Sequence, residues 1–291
     1  MLKSVSAAIV NHNTSSLAEI ALRSLRWAAD RSGTAVNLSI VDNHSTDDTR
    51  ALRSAVEECG AGWESSRWPV GGSTLNTHGD VLRDFVLARP DADGFLFVDS
   101  DICFLELDAL AVMLSELDAE PGLWAVQARL LTSGQVSAAT FNEAVHRKRR
   151  PVLLSARMTV EGDDGRLSVK DFNQSGRRMG RCHPGCALIR NTDAFRLAAR
   201  HLGFSASWTW SNDPRLAGLS DTLSMVSRAM YTHHMRHIIS TASVIHFWHG
   251  TSTGLGQGHE RLLRHLRAGD VPAFLAECAR APEAAPASVP G

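Results

Sequence analysis

The sequence has no apolar stretch of the ~18 residues that a membrane span needs. Its N-terminus also lacks an apolar segment of signal-peptide length with a small-residue cleavage site. It has no excess of either charge: 30 lysines and arginines face 31 acidic residues, a formal net charge of −1. No global field therefore draws it to nucleic acid or to an acidic membrane. Cysteine is sparse, and the five at positions 59, 103, 182, 186 and 278 follow no framework spacing. They read as reduced thiols in a cytosolic protein. Cys182-His183-Pro184-Gly185-Cys186 has no second ligand pair to complete a four-coordinate zinc site. Residues 71–79, "GGSTLNTHG", fit neither G-x-G-x-x-G nor G-x-x-x-x-G-K-[ST], which removes both common glycine-rich phosphate loops. No internal repeat is present. The basic run "HRKRR" (146–150) reads as a solvated loop.

What is present is an alternation. The chain of 291 residues can hold one large domain or two small ones. "SVSAAIV" (4–10), "VNLSIV" (36–41), "GFLFVD" (94–99) and "LWAVQARLL" (123–131) are short, apolar and β-branched, as buried strands are. Between them, Ser16 is placed to cap a helix with Leu17, Ile20, Ala21, Leu25 and Ala28 on one face. Further helices are expected at 48–58, in "LNTHGDVLRDFVLA" and in "LDALAVMLSEL". Asp47 or Asp48 would cap the first of these. This rhythm predicts an α/β fold with a mostly parallel central sheet flanked by helices. Residues 134–181 break the rhythm and are mixed, with turns at "GDDG" and "SGRRMG". Beyond them come a strand "CALIR" (186–190), a capped helix "NTDAFRLAARHL", a helix "SDTLSMVSRAMYTHHM" and a strand "SVIHFW" (243–248). C-terminal helices and a disordered tail follow.

Ligands of parallel sheets bind beyond the carboxyl ends of the strands. Three such ends carry polar loops: Asn11 to Asn13, Asp42 to Asp48, and Asp99 to Asp101. Each loop alone is ordinary turn chemistry; the convergence is the signal. In an extended segment Asp99 and Asp101 point to one side while Ser100 points away. Two like charges at the mouth of a core are unfavourable unless a cation lies between them. Carboxylate oxygens suit Mg2+ or Mn2+, which keep positions open for phosphate.

In order, the chain reads "IVNHN", "IVDNHSTDDT", "VGGSTLNTHG" and "FLFVDSDI". This order resembles the family 2 glycosyltransferases of the GT-A fold, and the "VNHNT" opening is similar to their rhamnosyltransferase-like branch. The matching residues are His12-Asn13, Asp42 with Ser45, Asp47 and Thr49, Asn76 with Gly79, and Asp99-Ser100-Asp101. "HPGCALIRNTDAF" resembles the acceptor-side segment, "LSDTLSMVSRAM" the acidic helix start that supplies a catalytic base, and "SVIHFWHG" the late strand whose histidine completes a metal site.

The resemblance implies a nucleotide-diphospho-sugar transferase fold over 1–280. Residues 1–131 would form the nucleotide-sugar half, 132–256 the acceptor half and 257–280 C-terminal helices, with 281–291 a tail. It implies Mn2+ or Mg2+ on Asp99, Asp101 and His246, with His249 the competitor for the last place. Asn11, Asn13, Asp42, Asn76, Asp99 and Ser100 would contact the donor, a UDP, dTDP or GDP sugar. Asp221 would take the acceptor's proton, with Asp213 its competitor. "RRMGR" (177–181) could lie near the diphosphate, although a solvated loop is the plainer reading of a lone basic run. The Q-x-x-R-W signature of processive synthases is missing, so one linkage per turnover is expected, on a small or lipid-linked acceptor. The expected site of action is the cytoplasm or the inner membrane face. Two alternatives stand: a sugar-nucleotide nucleotidyltransferase and a non-catalytic nucleotide-sugar binder.

Overall fold

The computed structural model describes residues 2–68, 74–104, 106, 108–132, 151–161, 167–177, 181–211, 218–247 and 257–273. Asp213, His249, Cys278, the 146–150 run, the side chain of Asn76 and the 281–291 tail lie outside the described residues. In chain order the elements are β1 (Ser4–Asn11), α1 (Ser15–Ser32), β2 (Ala35–Asp42), α2 (Arg50–Glu58), β3 (Gly62–Ser65), α3 (Thr74–Leu87), β4 (Gly94–Asp99), β5 (Ile102–Cys103), α4 (Ala109–Ala119) and β6 (Leu123–Thr132). There follow β7 (Pro151–Glu161), β8 (Leu167–Arg177), β9 (Cys186–Arg190), α5 (Asp193–Leu202), β10 (Ser207–Ser211), β11 (Gly218–Ser220), α6 (Ser224–Thr232), β12 (Arg236–His246) and α7 (Gln257–Arg267).

The main sheet has the order β3-β2-β1-β4-β9-β6-β12-β5. Strands β3, β2, β1 and β4 are mutually parallel, and β6 is parallel to β12. β9 runs antiparallel to both β4 and β6, and β5 antiparallel to β12. Successive side chains along a strand face opposite ways, and both faces are apolar here. Val5, Ala7 and Ile9 of β1, with Leu96 and Val98 of β4, join a core with α1, α2 and α4. Ala8 and Val10, with Phe95 and Phe97, join the opposite core with α3, α5 and α6. That double burial is why these strands read as continuous apolar runs rather than alternating ones.

On the second face Trp124 stacks on Phe195 at 6.0 Å between ring centroids, and Phe195 stacks on Phe204 at 5.6 Å. α3 meets the segment after α5 at Gly79, where a Cβ would lie 2.5 Å from Ser205 Cα. Only glycine permits that approach.

Several details differ from the sequence reading. α1 begins at Ser15, and Ser16 is not its cap; the Asp47 carboxylate accepts from the Ser15 amide at 2.9 Å and from the Ser15 hydroxyl at 2.9 Å. Asp47 thus caps α1 from the β2–α2 loop instead of starting α2, where Asp48 accepts from the Arg50 amide at 3.0 Å. β7 and β8 form a long antiparallel hairpin within the stretch that was read as mixed and given no strand, and join β10 and β11 in a second sheet of order β11-β10-β7-β8. α6 starts only at Ser224, because Leu223 takes a left-handed conformation with φ 64°. That helix also ends at Thr232, short of the expected 235, with His233 as its C-cap.

The C-terminal α7 is fastened to α1. Glu19 is 1% exposed and takes a two-pronged contact from Arg267, at 2.8 and 2.7 Å, as well as 2.9 Å from Arg23 Nε. Leu262, Leu263 and Leu266 pack beside it on Ile20 and Cys103. Removing one member of a buried ion cluster strands the charge of its partners. Glu19→Ala should therefore lower unfolding free energy by about 2–3 kcal/mol, the lower end of the usual cost because Arg267 reaches solvent. Arg267→Ala should cost less than half of that, and urea titration of the two variants measures both.

Candidate functional site

The carboxyl ends of β1, β2 and β4 lie side by side, with Asn11 opposite Asp42 and Val10 opposite Asp99. Asn11 is fully buried, and its amide organises the edge. Nδ2 lies 3.1 Å from Asp42 Oδ1, 2.9 Å from Ser45 Oγ and 3.1 Å from Ser15 Oγ, while Oδ1 accepts from Thr14 Oγ1 at 3.1 Å. Thr14 Oγ1 in turn accepts from the Ser100 hydroxyl at 2.9 Å, tying the first loop to the DSD turn. Asn13 adopts φ 55°, a left-handed conformation that asparagine tolerates. Its Oδ1 accepts from the Thr46 amide at 2.7 Å. Asp42 is half-buried beside this network. Asn76 falls in the first turn of α3.

Asp99 ends β4, and its amide donates to the Gly185 carbonyl at 2.8 Å. The chain then turns through Ser100 and Asp101 into β5. β5 pairs with the end of β12 and sets Ile102 opposite His246, while the Phe247 amide donates to the Asp101 carbonyl at 2.9 Å. This pairing carries His246 across the sequence to Asp101. His246 Nε2 stands 3.3 Å from Asp101 Oδ2. One ligand atom each from Asp99, Asp101 and His246 lies within 4.8 Å of the others. Two carboxylates and an imidazole, partly buried, form a donor set that fits one divalent ion. The nitrogen favours a transition ion such as Mn2+ over Mg2+.

The electrostatics agree with that arrangement. Burial pushes the Asp99 carboxyl up, opposed by the nearby His78 imidazole and reinforced by the Asp101 charge. His246 is pushed down by burial, but its hydrogen bond and charge interaction with Asp101 outweigh this and hold it above its usual 6.5.

No protein-family model matches the chain, and no curated protein matches its sequence. Solved structures do match its fold. A mannosyltransferase of Pyrobaculum calidifontis, solved with GDP-Man and Mn2+, superposes on 97% of this chain with TM-score 0.52 and 16% identity. The match spans 66% of that protein's length. The glucosyl-3-phosphoglycerate synthase of Mycobacterium tuberculosis, solved with phosphoglyceric acid, aligns over 97% of this chain and 82% of its own, at TM-score 0.47 and 13% identity. The fold is of the GT-A type.

Around Asp99, Asp101 and His246 stand residues whose placement sequence reasoning did not foresee. His78, on α3, places Nε2 3.5 Å from Asp99 Oδ1. His183 hydrogen-bonds through its amide to Gln127 Oε1 at 2.8 Å and accepts from the Gly185 amide through Nδ1 at 3.0 Å. Burial, with the Arg181 charge beside it, takes His183 down to about 3, so it is a neutral ring. Gly185 fills the gap between them: a Cβ there would lie 2.9 Å from His183 Nδ1 and 3.1 Å from Asp99 Oδ2. Cys182 and Cys186 are buried in the two cores, and burial holds both thiols protonated, Cys182 at about 12.

Asp221 precedes α6. Its Oδ1 accepts from the Thr222 amide at 2.7 Å and its Oδ2 lies 2.5 Å from Arg181 Nη1. Burial raises the Asp221 carboxyl, but the arginine and the amide outweigh it and hold it low. Arg181 of the "RRMGR" run is thus an ion-pair partner rather than a solvated loop residue, with 23% of its side chain exposed.

Two outcomes follow from this geometry. Gly185→Ala must displace either His183 or Asp99, and should weaken Mn2+ binding by at least tenfold, an effect of about 1.4 kcal/mol, measured by calorimetry. A metal ion needs the neutral imidazole, and Asp101 favours the protonated one. Mn2+ affinity should therefore fall as pH drops through the raised His246 value, approaching tenfold per pH unit well below it. His246→Gln should flatten that slope between pH 8 and 6.

Proposed function

We propose that the protein is a divalent-cation-dependent glycosyltransferase, moving one sugar from a UDP, dTDP or GDP sugar to an acceptor hydroxyl with inversion. The observation that carries this reading is the meeting of Asp99, Asp101 and His246 at the carboxyl edge of a GT-A sheet. The mannosyltransferase of the same fold, solved with GDP-Man and Mn2+, agrees with it. We place residues 1–280 in one GT-A unit of the rhamnosyltransferase-like branch of family 2, acting in the cytoplasm or at the inner membrane face. Among the described residues no helix is long and apolar enough to cross a membrane.

In this reading Asn11 holds the Asp42 carboxylate toward base and ribose, and the Asn13 loop closes over them. Asn76, at the start of α3, contacts the donor in this reading on the strength of the sequence resemblance alone. Ser100, braced by Thr14, keeps the DSD turn at the diphosphate. When bound, the cation supplies charge stabilisation for the leaving diphosphate, so no proton donor is needed there. Asp221 takes the acceptor's proton, a contribution of about 10²–10⁴ in rate. A single displacement opposite the leaving group inverts the anomeric centre. One observation favours a second reading, a non-catalytic nucleotide-sugar binder: the base candidate is engaged by Arg181.

A thermal-shift panel of UDP, GDP and dTDP sugars with and without Mn2+ tests the reading. One nucleotide should stabilise the protein only with Mn2+, by about 2.7 kcal/mol at a hundredfold excess over its dissociation constant. Asp101→Ala should abolish the shift. Stabilisation of equal size without metal would overturn the proposal. A metal-dependent shift with no transfer to any acceptor would favour the binder.

A further inference from the structure

Arg181 sits where two different anions can claim it. Its Nη1 is 2.5 Å from Asp221 Oδ2 and donates to the Thr222 carbonyl at 3.2 Å. The backbone beside it is anchored: the Cys182 amide donates to Ser227 Oγ at 3.0 Å, on buried α6. Four residues on, the Gly185 carbonyl receives the Asp99 amide. The short segment from Arg181 to Gly185 thus runs from the Asp221 pair to the end of β4, and the Arg181 charge acts on both Asp99 and His183. The charged and titratable groups facing it are Asp221, Asp99 and the neutral His183. With 23% and 42% of their side chains exposed, Arg181 and Asp221 are partly open to solvent, which discounts the strength of their ion pair. A guanidinium–phosphate fork is among the strong charge-assisted contacts.

Resting on the glycosyltransferase reading, we infer that Arg181 is a positioning residue that exchanges partners: it pairs with Asp221 in the free protein and turns to the donor's diphosphate when that arrives. Donor binding then releases Asp221 for its proton. In the transfer step the acceptor oxygen bonds to the anomeric carbon as its proton passes to Asp221. The bond from that carbon to the diphosphate breaks, and its electron pair stays on the diphosphate beside Arg181. The exchange answers how a carboxylate held low by an arginine serves as a base: the arginine leaves first. It also makes the base available only when a donor is in place.

The test is a double-mutant cycle on nucleotide binding, which needs no acceptor. UDP, GDP and dTDP are titrated with Mn2+ into wild type, Arg181→Gln, Asp221→Asn and the double variant, with the matching monophosphates as controls. For the diphosphate that wild type binds, Arg181→Gln should weaken affinity about tenfold. Asp221→Asn should tighten it about threefold, because the competing partner is gone. In the Arg181→Gln background Asp221→Asn should have no effect, and monophosphate affinities should move less than twofold. A purely structural ion pair would loosen binding in both single variants, which overturns the inference. Asp221→Asn alone decides the sign if the arginine variant fails to fold. Wild type that binds no nucleoside diphosphate overturns both this inference and the transferase reading. Binding without the opposed effects overturns the exchange alone.

Discussion

Two like charges at the end of a buried strand are the constraint around which this molecule is arranged. Asp99 closes β4 between two apolar cores, and Asp101 follows after one residue. Left to themselves the two would repel, and burial would protonate one of them. Among the described residues no lysine or arginine forms a direct ion pair with either. The fold surrounds them with imidazoles: His246 at 3.3 Å from Asp101 and His78 at 3.5 Å from Asp99. His246, which Asp101 holds above its usual value, can still give up its proton where a lysine or arginine would not, so it can yield to a metal ion. A structural ion pair would gain nothing from that reversibility.

The strand order makes this arrangement possible. Parallel β1, β2 and β4 bring three polar loops to one edge, and the buried Asn11 amide binds the first loop to the second through Asp42 and Ser45. Thr14 joins the first loop to the third through Ser100. Asn13 and His44 hold left-handed backbones in the first two loops, with φ 55° and 56°. Such conformations persist where surrounding contacts over-determine them; here the bond from the Thr46 amide to Asn13 Oδ1 does so. The antiparallel β5 then performs a separate task. Two residues long, it turns the chain back so that Asp101 meets the last residue of β12.

Strands β1, β2, β4 and β6 were legible because they are largely buried and read as apolar runs of strand length, and α1 because it carries an apolar stripe. The hairpin of β7 and β8 was not, since "PVLLSARMTVE" and "LSVKDFNQSGR" mix polar and apolar residues without an unbroken alternation. Asp47 was misplaced for a different reason. Its position before α2 looks like a local cap, and only the tertiary packing shows that it caps α1. The carboxylates of the site were legible from strand-end position, and His246 from order along the chain. His78 and His183 were not: a single histidine on a helix, or between two cysteines, has a plain structural reading, and nothing in spacing reveals that both converge on Asp99.

The second half of the chain does more than cover the first. Its segment from Arg181 to Cys186 forms one side of the metal group, and its composition follows from that position. Gly185 is there because any side chain would collide with His183 and crowd Asp99. The two cysteines are there as small apolar groups in opposite cores, which fixes the segment on both faces of the sheet. His183, kept neutral by burial and by Arg181, adds a polar ring without adding a charge that would compete for the carboxylates. Arg181 is then the one permanent cation this segment contributes, placed at its start, where it is partly buried and paired with Asp221. A cation deeper in the segment would have locked Asp99 into a salt bridge. At the rim it can answer charge brought from outside.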